Sequence, residues 1–172
     1  KHGKAKILHD SPDMLTRLRA EIDGQPLRCK LYTRLIVDGH LWMTDAEFEC
    51  WTYVPIERIL TGDVLIAGLG LGLILRPLLA KKDVRSITVL ELSRDVIALV
   101  APHYEHSKLA VIKADARKWE PPKKRFDSVF LDIWPDVPNS DNRQEIVALK
   151  RHYRPSLKPG GKIHVWCQKN TI

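Results

Sequence analysis

The 172-residue chain has no run of about twenty apolar residues, and it carries only three cysteines. Its N-terminus lacks the apolar core of a signal peptide, so we expect no membrane span and a cytoplasmic location. The cysteines Cys29, Cys50 and Cys167 are widely spaced and odd in number, which argues against a disulfide framework and a zinc knuckle. His103 and His106 have a ligand-like spacing, but no cysteine joins them, and we expect no metal site. The length suits one main domain.

Charge alone does not identify a partner class. The net charge of +7 would permit binding to a polyanion, but the lysines and arginines are scattered along the chain. The densest cluster, Lys123-Lys124-Arg125, follows two prolines and precedes an apolar stretch, which is typical of a solvated loop. We therefore expect no nucleic-acid partner, although binding of RNA stays open on the charge alone.

The first part of the chain is rich in strand formers. Between Leu31 and Thr44, the Asp38-Gly39 pair predicts a hairpin because both positions of such a turn need positive φ, and Asp23-Gly24 marks a second candidate hairpin. A helix should follow from Ala46 to Leu60, with Thr44 or Asp45 as its N-cap and with Pro55 kinking or dividing it. We accordingly divide the chain into an N-terminal β-hairpin region, residues 1–50, and a main domain, residues 51–172.

From Asp63 onward, apolar runs alternate with helical stretches, which is typical of βαβ units around a buried parallel sheet. The predicted strands are Val64–Ala67, Ser86–Leu90, Ala110–Lys113, Ser128–Leu131 and Lys162–Cys167. The predicted helices are Leu71–Lys81, Arg94–His103, with Ser93 as N-cap, and Asn142–Arg154. We expect an α/β, Rossmann-like fold with strand order 3-2-1-4-5, preceded by the small β-region.

Gly68, Gly70 and Gly72 lie between the first predicted strand and its helix, the context in which a glycine turn indicates a cofactor. Glycine lets the backbone approach a ligand, and a helix that follows offers free N–H groups. A nicotinamide fingerprint would place its third glycine one residue later, at Leu73, so the spacing favours another nucleoside. A turn that only packs the strand against the helix is the structural alternative.

Carboxylates follow the next two strands. Glu91 stands about twenty residues past the turn, where an acidic side chain can accept hydrogen bonds from both hydroxyls of a ribose. Asp115 follows the third strand and suits an adenine amino group. Three matching strand ends together predict a nucleoside site, with Gly68, Gly70, Gly72, Glu91, Leu92, Asp115 and Ala116 as the cofactor-binding residues.

Several segments of the chain carry a family resemblance. They are Val37-Asp38-Gly39-His40-Leu41-Trp42-Met43-Thr44-Asp45-Ala46-Glu47-Phe48, the glycine turn with Leu75-Arg76, Glu91, Asp115-Ala116, Phe126-Asp127, Leu131-Asp132 and Leu157-Lys158-Pro159-Gly160-Gly161. In order and spacing they resemble the class I S-adenosylmethionine-dependent methyltransferase superfamily, and the flanking sequence is similar to its spermidine synthase branch. The resemblance implies that the cofactor is S-adenosylmethionine or its decarboxylated form.

The chain departs from that branch at three positions. Leu71 stands where the branch carries an Asp within the glycine turn, and Trp42 stands where it carries a Gln in the hairpin. Pro135 replaces the second Asp that the branch uses for aminopropyl transfer, and Asp136 lies one residue further on. These departures favour methyl transfer over aminopropyl transfer.

Asp132 ends the fourth strand, where open α/β sheets bind their ligands. Transfer from a sulfonium requires the protein mainly to align an acceptor and to take up its proton. Asp132 and Asp136 are the candidate catalytic residues for that proton, and Trp42, Asp132 and Trp134 are the candidate acceptor-binding residues. A loop cap, a solvated charge or simple packing would be the structural roles of the same side chains.

We therefore expect an S-adenosylmethionine-dependent transferase, a methyltransferase by preference, with a small amine-bearing acceptor as its partner. Two alternatives stay open: a spermidine synthase-like aminopropyltransferase, and a catalytically silent domain that binds a nucleoside. Methylation of RNA or protein would rest on the basic charge alone. The N-terminal β-region is a candidate lid or homodimer contact.

Overall fold

The structure is a computed structural model that describes residues 4–11 and 31–167. Three strands come first: β1 (Ala5–Asp10), β2 (Tyr32–Val37) and β3 (His40–Thr44). The elements that follow are α1 (Glu47–Ile59), β4 (Gly62–Ala67), α2 (Leu75–Ala80), β5 (Val84–Glu91), α3 (Arg94–Val100), β6 (Leu109–Lys113), β7 (Phe126–Leu131), α4 (Arg143–Tyr153) and β8 (Leu157–Val165). Within the described residues, no helix has the length and apolar content that crossing a membrane requires.

The central sheet has five parallel strands in the order β6-β5-β4-β7-β8. This confirms the predicted Rossmann-like order, since β4 is the first strand of the domain and lies in the middle. All six residues of β4 are buried because helices cover both faces of a parallel sheet. Alternate residues of β4 enter two different apolar clusters: Val64 and Ile66 lie in one, Leu65 and Ala67 in the other.

The N-terminal strands form a separate antiparallel sheet in the order β1-β2-β3. Its hairpin turns at Asp38 and Gly39, whose φ angles of 53° and 83° confirm the predicted two-residue turn. Leu35 and Met43 pack in the larger apolar cluster of the main domain and thereby attach the sheet to it. Strand β1 was not expected from the sequence, and the candidate hairpin at Asp23-Gly24 lies outside the described residues. The homodimer contact and the division after residue 50 stay predictions.

The start of α2 and the N-cap of α1 differ from their predictions. Helix α2 begins at Leu75 rather than Leu71, because the chain makes a turn in which the Gly72 amide donates to the Leu69 carbonyl. Ala46, and neither Thr44 nor Asp45, occupies the N-cap position of α1, without a side-chain cap, and Pro55 lies inside α1 without dividing it.

Ser93 does cap α3, as predicted, and its hydroxyl accepts a hydrogen bond from the Val96 amide. The cap lies at the carboxyl end of β5, so it fixes the start of α3 beside the glycine turn.

An ion cluster connects the amino ends of strands in the central sheet. Lys158 on β8 donates to Asp63 on β4 and to Asp127 on β7, and Arg85 on β5 contacts the same two carboxylates. Burial acts to raise the pKa of Asp63, but hydrogen bonds from Lys158, Ser86 and Arg85 outweigh it and hold that pKa below its usual range. The cluster joins four strands at the end of the sheet that is remote from the strand ends with predicted site residues.

Candidate functional site

A cavity of about 340 Å³ lies at the carboxyl end of the parallel sheet, where open α/β sheets bind their ligands. The strand order arranges its lining from the Asp115 end of β6 through Glu91 on β5 and the glycine turn after β4 to Asp132 after β7 and Trp166 after β8. Strands β2 and β3, with the turn between them, and helix α1 complete the lining with Leu35, Val37, Asp38, Trp42, Met43, Glu49 and Tyr53. The N-terminal sheet is therefore a wall of this cavity.

Close packing inside the protein requires glycine at each position of this turn, apart from any contact with a ligand. Gly68 has φ of 100°, and a Cβ there would collide with the backbone carbonyl of Asp132. A Cβ at Gly70 would meet the Met43 sulfur, and one at Gly72 would meet the Tyr104 ring. Gly68 and Gly70 line the cavity, whereas Gly72 does not. The structure thus brings only two of the three predicted glycines to the site.

The amides of this turn are largely engaged by the protein itself. The Leu69 amide donates to Glu91 Oε2 over 2.9 Å, and the Leu71 amide contacts the Met43 sulfur over 2.9 Å. Because α2 begins three residues after Gly72, the start of the helix does not lie directly behind the turn, as the sequence had predicted it would. A ligand at this turn would meet a backbone whose Leu69 and Leu71 amides are already engaged.

Glu91 is 9% exposed, and both of its carboxylate oxygens accept backbone hydrogen bonds. Oε2 accepts from the Leu69 amide, and Oε1 accepts from the Ser93 amide over 2.7 Å. Each oxygen keeps a second lone pair, so the carboxylate can still accept hydroxyl groups. Its two amide partners hold the side chain in a single orientation at the edge of the cavity, beside Leu92.

Asp115 and Ala116 follow β6, which is three strands away from β7, the strand that Asp132 follows. Asp115 Oδ1 accepts from the Arg117 amide over 2.9 Å, which fixes the turn that follows β6. The Ala116 carbonyl accepts a hydrogen bond from the Tyr153 hydroxyl on α4, so this turn is attached to the main domain. Both residues line the cavity together with Glu91, and their binding of a cofactor stays a prediction.

Asp132 lines the cavity at the end of β7, together with Glu49, Tyr53 and Trp166, and we call this part of the lining the Asp132 half of the cavity. Its Oδ2 accepts a hydrogen bond from the Tyr53 hydroxyl over 2.8 Å. Burial raises the pKa of Asp132 to about 7, and the Tyr53 hydrogen bond offsets only part of that effect. The Tyr53 ring is stacked on Trp166 at 6.3 Å and meets the edge of Phe130 at 6.3 Å, so the hydroxyl has little freedom to leave the carboxylate.

Glu49 is the second carboxylate in this half and is buried, and the sequence did not single it out. It lies on α1 one turn before Tyr53, is 9% exposed and accepts a hydrogen bond from the Thr44 amide through Oε2 over 2.9 Å. Burial raises the pKa of Glu49 to about 7, and the negative charges of Asp132 and Asp45 act in the same direction. The sequence contains one signal for Glu49: it stands one helical turn before Tyr53, so both side chains lie on the same face of a helix.

The remaining predicted residues are divided between the cavity and its surroundings. Trp42 is 39% exposed and lines the cavity, whereas Trp134 is 7% exposed and its indole N–H donates to Glu145 over 2.7 Å. Trp134 lines the cavity as a packed wall rather than a mobile side chain. Asp136 is exposed and outside the lining, so the structure does not bring it together with Asp132. Its catalytic role stays a prediction.

Comparisons with known proteins identify the family of the main domain. The family model described as a methyltransferase domain matches residues 64–161. A polyamine aminopropyltransferase of Leptospira interrogans is 30% identical over 128 residues, which cover 65% of this chain and 26% of that protein. The chain thus spans about a quarter of the length of this curated relative.

Solved structures of low sequence identity share the fold. The spermidine synthase of Thermotoga maritima superposes with a TM-score of 0.56 at 22% identity, covering 76% of this chain and 48% of that one. A SAM-dependent methyltransferase of Leishmania major gives a TM-score of 0.53 at 18% identity, covering 66% and 47% of the two chains. The match of residues 64–161 carries the family assignment, and these two structures support the fold.

Proposed function

The chain belongs to the methyltransferase domain family, whose cofactor is S-adenosylmethionine, and we propose that it transfers the methyl group to a small amine-bearing acceptor. One observation carries the choice of acceptor: the half of the cavity around Asp132 contains two carboxylates, the buried Glu49 and the half-buried Asp132. A ligand that fills this half must offer them protons or positive charge.

The other half of the cavity fits the cofactor. Glu91 has a free lone pair on each oxygen for the two ribose hydroxyls, and Asp115 stands on the neighbouring strand end for the adenine amino group. Gly68 and Gly70 supply a surface without side chains beside Glu91. When bound, S-adenosylmethionine supplies an electrophilic carbon on its sulfonium.

The residues around Asp132 would manage the proton of the acceptor. An amine attacks only through a free lone pair, so an ammonium must lose a proton before or during transfer. With a pKa of about 7, Asp132 can accept a proton near neutral pH, and Tyr53 holds one of its oxygens in place. The exposed Asp136 would assist only if its loop moved, and Trp42 and Trp134 would flank the acceptor.

Aminopropyl transfer is the second candidate, and one observation favours it. The Leptospira relative at 30% identity is described as a polyamine aminopropyltransferase, an activity that would require decarboxylated S-adenosylmethionine here. Leu71 and Pro135, which replace two acidic residues of the spermidine synthase branch, argue against it. Leu71 is 7% exposed and packs in the apolar cluster, so its position carries no charge into the site.

Product analysis separates these functions. The purified chain would be incubated with S-adenosylmethionine or its decarboxylated form and a panel of mono-, di- and polyamines, and the nucleoside products would be measured by mass spectrometry. We expect S-adenosylhomocysteine and a methylated amine. Methylthioadenosine from the decarboxylated substrate would establish aminopropyl transfer instead. Nucleoside binding without turnover on any amine would favour the silent domain.

A further inference from the structure

The charge of the cavity is opposite to that of the chain. Although the chain carries a net charge of +7, five carboxylates line the cavity: Asp38, Glu49, Glu91, Asp115 and Asp132. Among the described residues, Arg117 is the only lysine or arginine in the lining, and its Nε lies 2.6 Å from Glu145 outside it. The part of the chain that the structure describes therefore leaves most of the negative charge of this cavity for a ligand to neutralise.

The uncompensated negative charge of the cavity matters most at two of the carboxylates, Glu49 and Asp132. Each accepts a hydrogen bond from a neutral group, the Thr44 amide for Glu49 and the Tyr53 hydroxyl for Asp132. The charges that raise the pKa of Glu49 are negative ones, from Asp132 and Asp45. Buried carboxylates are normally paired with a cation, because removing an unpaired charge from water is costly.

The geometry connects the two carboxylates through one side chain. Glu49 and Tyr53 are one turn apart on α1 and both line the cavity, and the Tyr53 hydroxyl reaches Asp132 at the end of β7. Aromatic rings stand beside them, since Trp42 and Trp166 also line the cavity and Trp166 is stacked on Tyr53. Carboxylates next to aromatic faces are the surroundings that favour an organic ammonium group.

We propose that Glu49 is a specificity-determining residue that, together with Asp132, binds an ammonium group in the cavity. If the ammonium belongs to the acceptor, this proposal rests on the proposed function. The nucleoside also carries an ammonium on its amino-acid side chain, which is the second source of the same chemistry. Glu49 does not need to act on the reacting atoms: it selects ligands that bring a positive charge to this end.

The experiment measures binding rather than turnover, with Glu49→Gln as the test variant. Glutamine keeps an oxygen that can accept from the Thr44 amide, and it removes only the charge. Glu57→Gln, two turns further along α1 and outside the cavity lining, is the matched control. Calorimetry on each protein would use S-adenosylhomocysteine, methylthioadenosine, which lacks the ammonium, and 1,4-diaminobutane in the presence of methylthioadenosine.

We expect Glu49→Gln to weaken binding of 1,4-diaminobutane by about 10- to 100-fold, the loss of one charge-assisted hydrogen bond, with methylthioadenosine unaffected. A loss confined to S-adenosylhomocysteine would also support the ammonium site and assign its source to the nucleoside. Equal affinities of Glu49→Gln and wild type for all three ligands would overturn the proposal. So would an equal loss for methylthioadenosine, which would indicate a structural role, or a wild type that shows no ammonium-dependent binding.

The failure of this proposal and that of the proposed function are distinguishable. If the wild type methylates amines while Glu49→Gln keeps every affinity, the ammonium site is wrong and the function stands. If the wild type binds 1,4-diaminobutane through Glu49 without turnover, the function is wrong and the site stands. Circular dichroism of both variants establishes that they are folded, and Asp132→Asn provides a second variant with the same expected selectivity.

Discussion

Replacing Asp132 by asparagine should stabilise the ligand-free protein at alkaline pH. Burial raises the pKa of Asp132 from an ordinary value of 3.8 to about 7, so the folded protein binds this proton more tightly than the unfolded chain does. The stability associated with that proton is present below about pH 4 and is lost as the pH rises through 7. The asparagine side chain has no proton to lose in this range, and its amide oxygen can still accept from Tyr53.

The magnitude follows from the distance between the two pKa values. At 1.36 kcal/mol for each pH unit, a rise from 3.8 to about 7 corresponds to at most about 4 kcal/mol in the free energy of unfolding. The difference between Asp132→Asn and wild type should therefore grow from a small value at pH 4 toward this limit at pH 8. The substitution also removes the charge that raises the pKa of Glu49, which adds to the gain in the same direction.

Urea unfolding followed by tryptophan fluorescence, at intervals from pH 4 to 9, measures this difference. Asp136→Asn is the control, because Asp136 is exposed and outside the cavity, and its curve should follow that of the wild type. A difference between Asp132→Asn and wild type that does not change with pH would refute the reasoning. It would mean that the Asp132 carboxylate is solvated in the folded protein.

Three further outcomes follow from the same structure. Gly68→Ala should destabilise the fold by about 2 kcal/mol or more and weaken nucleoside binding, since a Cβ would strike the Asp132 carbonyl; unchanged urea midpoint and affinity would count against this. Tyr53→Phe removes a hydrogen bond that lowers the pKa of Asp132, so the acid limb of a turnover profile should move to higher pH. Lys158→Met should destabilise the protein most at neutral pH and progressively less as the pH falls from about 4 toward the lowered pKa of Asp63, with nucleoside affinity unchanged in calorimetry.

Much of the fold could be predicted from local patterns. The apolar runs after Asp63 and the helical stretches between them predicted the five parallel strands, and the structure has them in the expected order. Asp38-Gly39 predicted the hairpin because few other residue pairs adopt positive φ twice. Positions of Gly68, Glu91 and Asp115 near one cavity follow from the rule that the carboxyl ends of parallel strands meet at one edge.

The start of α2 was mispredicted because apolar periodicity cannot show where a turn ends. Leu71 continues the helical pattern of the residues that follow, yet Gly70 and Gly72 have positive φ, which a right-handed helix does not allow. The amides of Leu69 and Leu71 are consequently bound by Glu91 and Met43. Met43 belongs to the N-terminal sheet, so this contact depends on docking between distant segments.

The proximity of Gly68, Glu91 and Asp115 could be predicted from the sequence, because these residues follow successive strands and strand order alone brings them beside one cavity. The Asp132 half of the cavity could not be predicted in this way. The Tyr53 hydroxyl reaches Asp132 because α1 lies beside the end of β7, and these two residues are 79 positions apart in the chain. Glu49 lies one turn before Tyr53 on the same helix and lines the same cavity. Strand ends are set by short-range pattern and topology, whereas the packing angle of a helix depends on all the side chains beneath it. Because of this long-range packing, Glu49, which the sequence pattern did not mark as a site residue, lines an acidic cavity.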